Sequence, residues 1–191
     1  MTLRELLHQN YPVGDAAVEA MEGACRKVSV RRGESIIRQG EVCEGIIFVT
    51  DGLFRVVFRH DLVEETVCFG MTGDPFTSMH SLYRGEPSQY SFEAIEDSEC
   101  LMIDFDSFRR LQKEFPDILK WMVQLLSEQI YAFERRYVYL GINDAYTRYA
   151  TFLQLRSDII NRIPLKYIAQ YIKVKPETLS RIRARYVRGR Q

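Results

Sequence analysis

The chain has 191 residues, 46% of them hydrophobic, which is enough to bury a substantial core and excludes wholesale disorder. Its 26 basic and 26 acidic residues balance over the whole chain but not along it. Residues 1–140 carry 15 Lys/Arg against 23 Asp/Glu, a net charge of −8, whereas residues 141–191 carry 11 against 3, a net charge of +8. An acidic part followed by a basic one indicates two tasks, and we expect the basic part to face a polyanion.

The N-terminus and the cysteines are not typical of an exported or metal-binding protein. The sequence does not begin with a basic stretch and an apolar run, and no apolar stretch reaches membrane-spanning length. We therefore expect a soluble, cytoplasmic protein without a signal peptide. Cys25, Cys43, Cys68 and Cys100 are too dispersed for a zinc knuckle, a CxxC pair or an iron–sulfur cluster, so they are predicted to be buried free thiols.

The first 104 residues predict short helical pieces and then a β domain. Leu3, Leu6 and Leu7 have helical spacing, and residues 11–15 break the helical part. From about 26 to 104, short runs rich in Val, Ile, Phe and Thr alternate with glycines, which predicts a barrel or jelly roll rather than a parallel sheet. Asp51-Gly52 lies between two such runs and predicts a β-hairpin.

From residue 106 the apolar spacing becomes helical. Phe108, Leu111 and Phe115 form one face, and Pro116 suits the first turn of a long helix that ends at a hinge over residues 141–144. Apolar residues then recur every 3.5 residues on average, which is the spacing of a coiled-coil seam. Ile118, Trp121 and Leu125 can face the chain's own core while this seam pairs with a second copy. The predicted dimer interface comprises Leu119, Met122, Leu126, Ile130, Phe133 and Tyr137.

Residues 164–187 predict two short helices joined by a tight turn. Pro164 opens the first helix and Pro176 opens the second, in which Leu179, Ile182 and Tyr186 recur at helical spacing. Between them Val174 is the one apolar residue of the turn, and Ala169 is small where two crossing helices need close approach. This order is the helix-turn-helix of DNA-binding proteins.

The outer face of the second helix carries the groups that read bases. Arg181 can donate two hydrogen bonds to guanine, Glu177 can accept one from cytosine, and Thr178 can bind a phosphate near the helix N-terminus. Further phosphate contacts are expected from Arg183, Arg188 and Arg190. The predicted DNA-binding residues are Lys173, Lys175, Glu177, Thr178, Ser180, Arg181 and Arg185. The alternative is a basic amphipathic helical pair, which explains the charge but not the apolar spacing.

Three stretches resemble the Crp/Fnr family of regulators. They are residues 32–52 (Arg32-Gly33-Glu34, Gly40-Glu41, Gly45–Val49, Gly52), residues 93–104 (Glu93-Ala94, Cys100–Asp104) and residues 176–182 (PETLSRI). The last is very similar to the family's recognition helix, in which Glu177 and Arg181 would be the base readers. The resemblance implies an α+β chain in three parts. These are a cyclic-nucleotide-binding-like antiparallel β jelly roll (double-stranded β-helix) over residues 1–115, a dimerisation helix over 116–140, and a helix-turn-helix domain over 141–191.

The chain departs from the family pattern in the ligand pocket, in the turn and at the end. Members that bind cAMP carry a Glu for the ribose and an Arg for the phosphate, where this chain has about Ser78 and Tyr90. The family's turn glycine is Lys173, and we expect no β-hairpin wing after Gln191. We therefore predict that cAMP is not the effector. The remaining pocket would be lined by Phe76, Thr77, Ser78, His80, Arg84, Tyr90 and Ser91. It is predicted either to hold a different, less charged ligand or to be filled by its own side chains.

Two other classes of function stay open on the residues alone. A metal-dependent cupin enzyme shares the jelly roll, but His8, His60 and His80 are isolated and no nucleophile or nucleotide motif is present, so we expect neither an enzyme nor a cofactor. A regulator-fold protein that acts through protein–protein contacts, with weak or no DNA binding, is the alternative to a transcription regulator. The predicted partners are double-stranded DNA and a second copy, with RNA polymerase as a further candidate.

Overall fold

The computed structural model describes residues 1–10, 13–142 and 144–188. Two helices lead into a β domain, and five more helices follow it. The strands are β1 (Arg26–Val30), β2 (Ser35–Ile37), β3 (Gly45–Asp51), β4 (Leu53–His60), β5 (Val63–Met71), β6 (Pro75–Phe76), β7 (Ser91–Ala94) and β8 (Ser98–Asp104). The helices are α1 (Leu3–Asn10), α2 (Asp15–Ala24), α3 (Met79–Arg84), α4 (Phe105–Glu114), α5 (Pro116–Ile142), α6 (Ala145–Leu155), α7 (Leu165–Tyr171) and α8 (Pro176–Arg188).

The strands form two four-stranded antiparallel sheets, which confirms the predicted jelly roll. One sheet has the order β1-β8-β3-β6 and the other the order β2-β7-β4-β5. β3 is buried along residues 45–49 and β4 along residues 53–57, because both lie at the centre of their sheets. Inward side chains of the two sheets meet there and form the core of the roll.

The hairpin predicted at Asp51-Gly52 is wrong, because β3 and β4 belong to different sheets. Gly52 makes the corner between them with φ +126°, and a Cβ at this position would overlap the side chain of Ser98. The hairpin instead joins β4 to β5, where Asp61 adopts φ +50°. The glycine between these two strands therefore marks a change of sheet. Sequence spacing alone does not distinguish such a corner from a hairpin.

Helices α1, α2, α4 and the first half of α5 pack on the roll. Trp121 of α5 is fully buried with its ring 5.9 Å from that of Phe48 in β3. Ile118 and Leu125 lie in the same core, as the sequence predicts. The helix begins at Pro116 and runs to Ile142, so Gly141, placed in a hinge by the sequence, is helical; Asn143 lies outside the described residues.

A second hydrophobic cluster joins the roll to the C-terminal helices. Leu53, Phe69 and Ile95 of the roll pack with Phe152 of α6 and Ile168 of α7. Helices α6 and α7 thus pack on the outer face of the sheet that contains β4 and β5, and α8 packs on α6 and α7. None of the helices in the described part of the chain is long and apolar enough to cross a membrane.

The four cysteines are separate free thiols. Cys43 and Cys100 are buried, and Cys25 and Cys68 are partly buried. Burial raises the pKa of the Cys25 and Cys100 thiols to about 12 and that of Cys68 to about 11, so all three are neutral near pH 7.

The corner at Gly52 generates a prediction. Gly52→Ala should lower the free energy of unfolding by about 2 kcal/mol or more, because the new Cβ both enters a positive-φ conformation and overlaps Ser98. The matched control is Gly23→Ala in α2, where a Cβ meets nothing within 4 Å, so it should raise stability by up to about 1 kcal/mol. Urea denaturation measures both, and equal effects of the two variants would contradict this account of the corner.

Candidate nucleic-acid interface

Helices α7 and α8 form the helix-turn-helix unit that the sequence predicts. Pro164 precedes α7 with φ −56°, and Pro176 is the first residue of α8, where its missing N–H costs nothing. Leu179 and Ile182 hold α8 down with 1% and 9% of their surface exposed, and Ala169 is 1% exposed at the crossing. Burial of these apolar positions fixes which face of α8 points outward.

The turn between the two helices is a Schellman motif built on a lysine. The amide of Val174 donates to the carbonyl of Ala169 at 3.0 Å, and the amide of Lys173 donates to that of Gln170 at 3.1 Å. Lys173 has φ +57°, a conformation that glycine adopts without strain. Val174 packs against the helical cluster and closes the joint, as predicted.

The outward face of α8 carries both signs of charge. Glu177, Ser180, Arg181 and Arg185 are exposed, and Thr178 is partly buried near the helix start. Lys175, Arg183 and Arg188 are exposed around this face, and Arg190 lies outside the described residues. Within the described part of the chain, neither Glu177 nor Arg181 forms an ion pair, so both side chains are available to a partner. Arg185 stacks on the ring of Tyr146 at 4.8 Å, which orients its guanidinium against α6.

Lys173 differs from the other predicted DNA contacts because it already has an anionic partner. Its ammonium group forms an ion pair with the carboxylate of Glu65 in β5. Both side chains are about 39% exposed, so the pair lies at the rim of the contact between α7 and the sheet. A phosphate that approached Lys173 in this arrangement would also approach Glu65.

Arg55 of β4 connects the sheet to the helix-turn-helix. Its side chain is only 2% exposed, and its guanidinium lies 2.8 Å from Glu93 and 2.9 Å from Glu64. From α7, the amide oxygen of Gln170 accepts from Arg55 at 3.3 Å, and the ring of Tyr167 lies 3.8 Å from the guanidinium carbon. α7 thus supplies a hydrogen bond and an aromatic face to a charge buried in the sheet.

The neighbouring groups complete this network. Gln170 also accepts a hydrogen bond from the buried hydroxyl of Thr66 at 2.7 Å. Arg59 binds the second oxygens of Glu64 and Glu93 at 3.0 and 2.6 Å. Burial alone would raise the pKa of Glu64, but the hydrogen bonds and charges of Arg55 and Arg59 outweigh it and lower the pKa to about 2. The carboxylate therefore remains charged down to strongly acidic pH.

The outer face of α5 carries an unpaired apolar stripe, which differs from the predicted seam at one residue. Met122 is 1% exposed in the chain's own core, so its side chain cannot contribute to an outer seam. Val123 is 56% exposed and takes its place. The stripe then comprises Leu119, Val123, Leu126, Ile130, Phe133 and Tyr137, spaced alternately by four and three residues. All of these except the half-buried Leu126 are more than half exposed.

The interior of the predicted effector pocket contains an aromatic ring of the chain itself. Phe76 lies 4.9 Å from Phe92 and 6.0 Å from Phe54, measured between ring centroids. Its ring lies against Gly70, where any Cβ would overlap it. Phe76 is therefore partly buried and packs in the roll between three neighbours.

The small hydroxyls predicted for the same pocket bind the backbone. Thr77 donates to the carbonyl of Gly45 at 3.1 Å, Ser78 caps α3 by accepting from the amide of Ser81, and Ser91 accepts from the amide of Gln39 at 2.9 Å. Ser78 and Ser91 are only 6% and 5% exposed. The Ser78 oxygen thus serves the first turn of α3, and the Ser91 oxygen serves a backbone amide 52 residues away.

The other three predicted pocket residues lie at the surface. The Arg84 side chain is 69% exposed, and its guanidinium is 4.0 Å from Glu86. His80 lies 3.3 Å from the same carboxylate, and Tyr90 is 37% exposed with its ring 6.0 Å from that of Phe58. Of the seven residues, two are buried (Ser78 and Ser91), three are partly buried (Phe76, Thr77 and His80) and two are exposed (Arg84 and Tyr90).

Comparison with known proteins agrees with this architecture. Residues 27–115 match the sequence model of the cyclic nucleotide-binding domain. FixK2 from Bradyrhizobium japonicum superimposes with a TM-score of 0.76 at 21% identity, over 86% of each chain. A protein assigned to the Crp/Fnr family of transcriptional regulators from Eubacterium rectale gives 0.74 at 18% identity, over 93% of this chain and 85% of its own. The chain has the fold of the Crp/Fnr regulators.

A further Crp/Fnr-like structure matches along nearly the whole length. The c-di-GMP-responsive global regulator CLP from Xanthomonas campestris gives a TM-score of 0.78 at 14% identity, over 92% of this chain and 93% of its own. No protein among the curated sequences matches this chain. Similarity at these identities establishes the Crp/Fnr fold and leaves the ligand and the DNA site to be argued from the residues.

Sequence reasoning missed Val123 and the residues of the Arg55 network. The strict alternation of four and three residues, rather than the average spacing, would have selected Val123 over Met122. For Arg55 the available signal was a single arginine inside the apolar run Leu53-Phe54-Arg55-Val56-Val57. Such a charge must find partners when the strand is buried, but the sequence does not say where they come from.

Proposed function

We propose that this chain is a dimeric, sequence-specific DNA-binding transcription regulator of the Crp/Fnr type and not an enzyme. The observation that carries the proposal is the exposed face of α8, which presents Glu177, Ser180 and Arg181 while Leu179 and Ile182 are buried beneath it. A recognition helix needs this division, because its N-terminal residues must reach base edges while its other side holds the domain together.

The roles of the charged residues follow from their chemistry. Arg181 donates a bidentate pair to guanine, and Glu177 accepts from the amino group of cytosine. Lys175, Arg183 and Arg188 neutralise phosphates and fix the register of the helix on the duplex. Two copies related by a two-fold axis would read a near-palindromic site whose half-sites lie about one helical turn, or 34 Å, apart.

The effector is not cAMP in this proposal. A cyclic phosphate that leaves water keeps its charge and needs a cation or several N–H donors. No Lys or Arg stands between Arg84 and Arg109 in the sequence, and Arg84 extends into solvent. Phe76 occupies the roll interior, and the hydroxyls of Ser78 and Ser91 serve the backbone. The nucleotide would therefore lack both its phosphate contact and its ribose contact.

Base reading and phosphate neutralisation predict different mutants. Arg181→Ala should weaken binding to a site selected from random DNA by about 1–3 kcal/mol and relax preference at one base pair. Lys175→Ala should weaken all sequences alike and lower the slope of log affinity against log salt by about one. Fluorescence anisotropy with selected and scrambled duplexes measures both. If the wild type does not distinguish the selected duplex from the scrambled one, the protein–protein alternative is favoured.

The pair between Lys173 and Glu65 predicts a gain of affinity. Glu65→Gln should strengthen binding to every duplex by about two- to fivefold, because it frees Lys173 for a phosphate and removes a repelling carboxylate. The control is Glu99→Gln on β8, which changes the net charge equally but lies on the other sheet. Equal shifts in the two variants would assign the gain to net charge and remove Lys173 from the interface.

The apolar stripe of α5 predicts the oligomeric state. Ile130→Glu should convert a dimer into monomers and abolish tight operator binding, because it places a charge without a partner inside an apolar interface. Tyr131→Glu is the control, since Tyr131 is 69% exposed on the neighbouring position outside the stripe. Sedimentation velocity at micromolar concentration measures the oligomeric state of both variants. A wild-type protein that sediments as a monomer would refute the dimer.

Titration calorimetry tests the ligand statement. Neither cAMP nor cGMP should bind in the low-micromolar range, because loss of two charged contacts costs several kcal/mol, on the order of a thousandfold in affinity. Low-micromolar binding that Arg84→Gln abolishes would mean that Arg84 rebuilds the phosphate site. The unaltered response of an Arg110→Gln control would then confirm that the effect is local to Arg84.

A further inference from the structure

A cavity of about 220 Å³ lies where the dimerisation helix, the roll and the C-terminal helices meet. Val67 of β5, Arg136 of α5, and Phe152 and Arg156 at the end of α6 form parts of its wall. None of the seven residues predicted for the effector pocket lines it. The cavity is therefore a second space, between the two halves of the chain rather than inside the roll.

A β-bulge shapes the wall on the side of the roll. Val56 of β4 pairs with Cys68 and Val57 pairs with Thr66, which leaves Val67 as the extra residue. A bulge bends its strand and re-aims side chains, and bulges are frequent next to binding sites. Here it turns Val67 and Cys68 toward α5 and α6 at the rim of the sheet.

The charge of the wall has one sign. Three arginines line the cavity, Arg135, Arg136 and Arg156, and among the described residues no carboxylate does. None of the three is within ion-pair distance of a carboxylate in the described part of the chain, whereas Arg55, Arg59 and Arg162 all are. Asp74, which is partly buried, attracts Arg156 but does not line the cavity. Three guanidinium groups around one small space attract an anion.

Arg136 has a donor that the chain does not use. One terminal nitrogen donates to the carbonyl of Tyr171 at 3.3 Å, and the guanidinium stacks over the Tyr171 ring at 4.1 Å. The other terminal nitrogen is buried and has no hydrogen-bond partner among the described residues. Because this nitrogen is not solvent-accessible, a ligand in the cavity would be attracted by the charge of Arg136 rather than by a direct bond to this donor.

The rest of the wall is aromatic. Phe152 and Tyr171 pack with their ring centroids 5.2 Å apart, and Phe133 and Tyr139 of α5 complete the apolar surface. A cavity of about 150 Å³ with apolar walls holds one benzene ring, so the space here admits one ring and one small charged group. Aromatic walls favour a flat body, and guanidinium groups favour a carboxylate or a phosphate.

We propose that this junction cavity binds a small aromatic oxyanion, a single ring that carries a carboxylate or a phosphate group. Such a ligand would contact α5, β5 and α6 at once and so fix the helix-turn-helix relative to the dimerisation helix. Its binding requires only the cavity, whereas any effect on operator affinity rests on the proposed function.

Four probes separate the parts of the proposal by titration calorimetry on the full chain. Phenyl phosphate and benzoate carry both the ring and the charge, and the tighter of the two identifies the group that the site prefers. Inorganic phosphate lacks the ring and benzyl alcohol lacks the charge, so each should bind at least about tenfold more weakly. Binding of inorganic phosphate as tight as that of phenyl phosphate would overturn the aromatic part of the site.

Two variants locate the site, and one is a control. Arg156→Gln should weaken the better probe by about tenfold or more by removing one of the three cations, and Ala132→Phe should abolish binding by filling the cavity. Arg110→Gln removes the same charge from the exposed surface of α4 and should leave binding unchanged. If no probe binds at millimolar concentration, or if Arg110→Gln weakens binding as much as Arg156→Gln, the proposal is wrong.

A separate measurement tests whether ligand binding in the cavity affects DNA binding, which is the part that rests on the proposed function. Saturating the cavity with the better probe should change operator affinity in the wild type but not in Ala132→Phe. A protein that binds the probe in calorimetry but binds no DNA would keep the cavity site and refute the proposed function. A protein that binds operator but no probe would keep the proposed function and refute the cavity site.

Discussion

The arrangement of the molecule depends on one buried charge. Arg55 stands in the middle of β4 with 2% of its side chain exposed, and a guanidinium cannot be left there without partners. Glu64 and Glu93 supply the opposite charges from the two strands that flank β4, and α7 supplies Gln170 and Tyr167. Removing α7 would expose one side of the Arg55 guanidinium and break its hydrogen bond to Gln170. The contacts that Arg55 requires therefore help to fix the position of the helix-turn-helix.

The same docking also constrains the surface that is proposed to bind DNA. It brings α7 to an acidic edge of the sheet, where Glu65 pairs with Lys173 in the turn between the two helices. The turn itself is held in a positive-φ conformation at Lys173, which a glycine would adopt with less strain. Keeping a lysine there provides a cation that either Glu65 or a phosphate can bind. Under the proposed function, contact with the roll and contact with DNA compete for one side chain.

The sequence predicted correctly those elements whose structure depends on residues close together in the chain. Pro164, Pro176 and the spacing of Leu179 and Ile182 define α7 and α8, because helix starts and buried faces are set within a few residues. The strand pairing at Gly52 was mispredicted because a corner and a hairpin use the same residue types, and only the contact with Ser98 separates them. Met122 was placed on the wrong face because a shift of one position along the helix moves a side chain from the outer stripe to the buried one. The Arg55 network joins groups 115 residues apart, which no local pattern reveals.

The positions of the large side chains decide which part of the molecule has room for a ligand. Phe76 packs inside the roll against Phe54 and Phe92, and the hydroxyls around it are bound to the backbone, so the interior is satisfied by the chain itself. The junction is different, because the bulge at Val67 lies beside the end of α6, and three arginines line the space there without a carboxylate among the described residues. A binding event inside the roll would have to displace packed aromatic rings. A binding event at the junction would instead place an anion beside three arginines that have no carboxylate partner among the described residues. Under the two proposals, a ligand would therefore act at the boundary between the roll and the helix-turn-helix rather than at the centre of the roll.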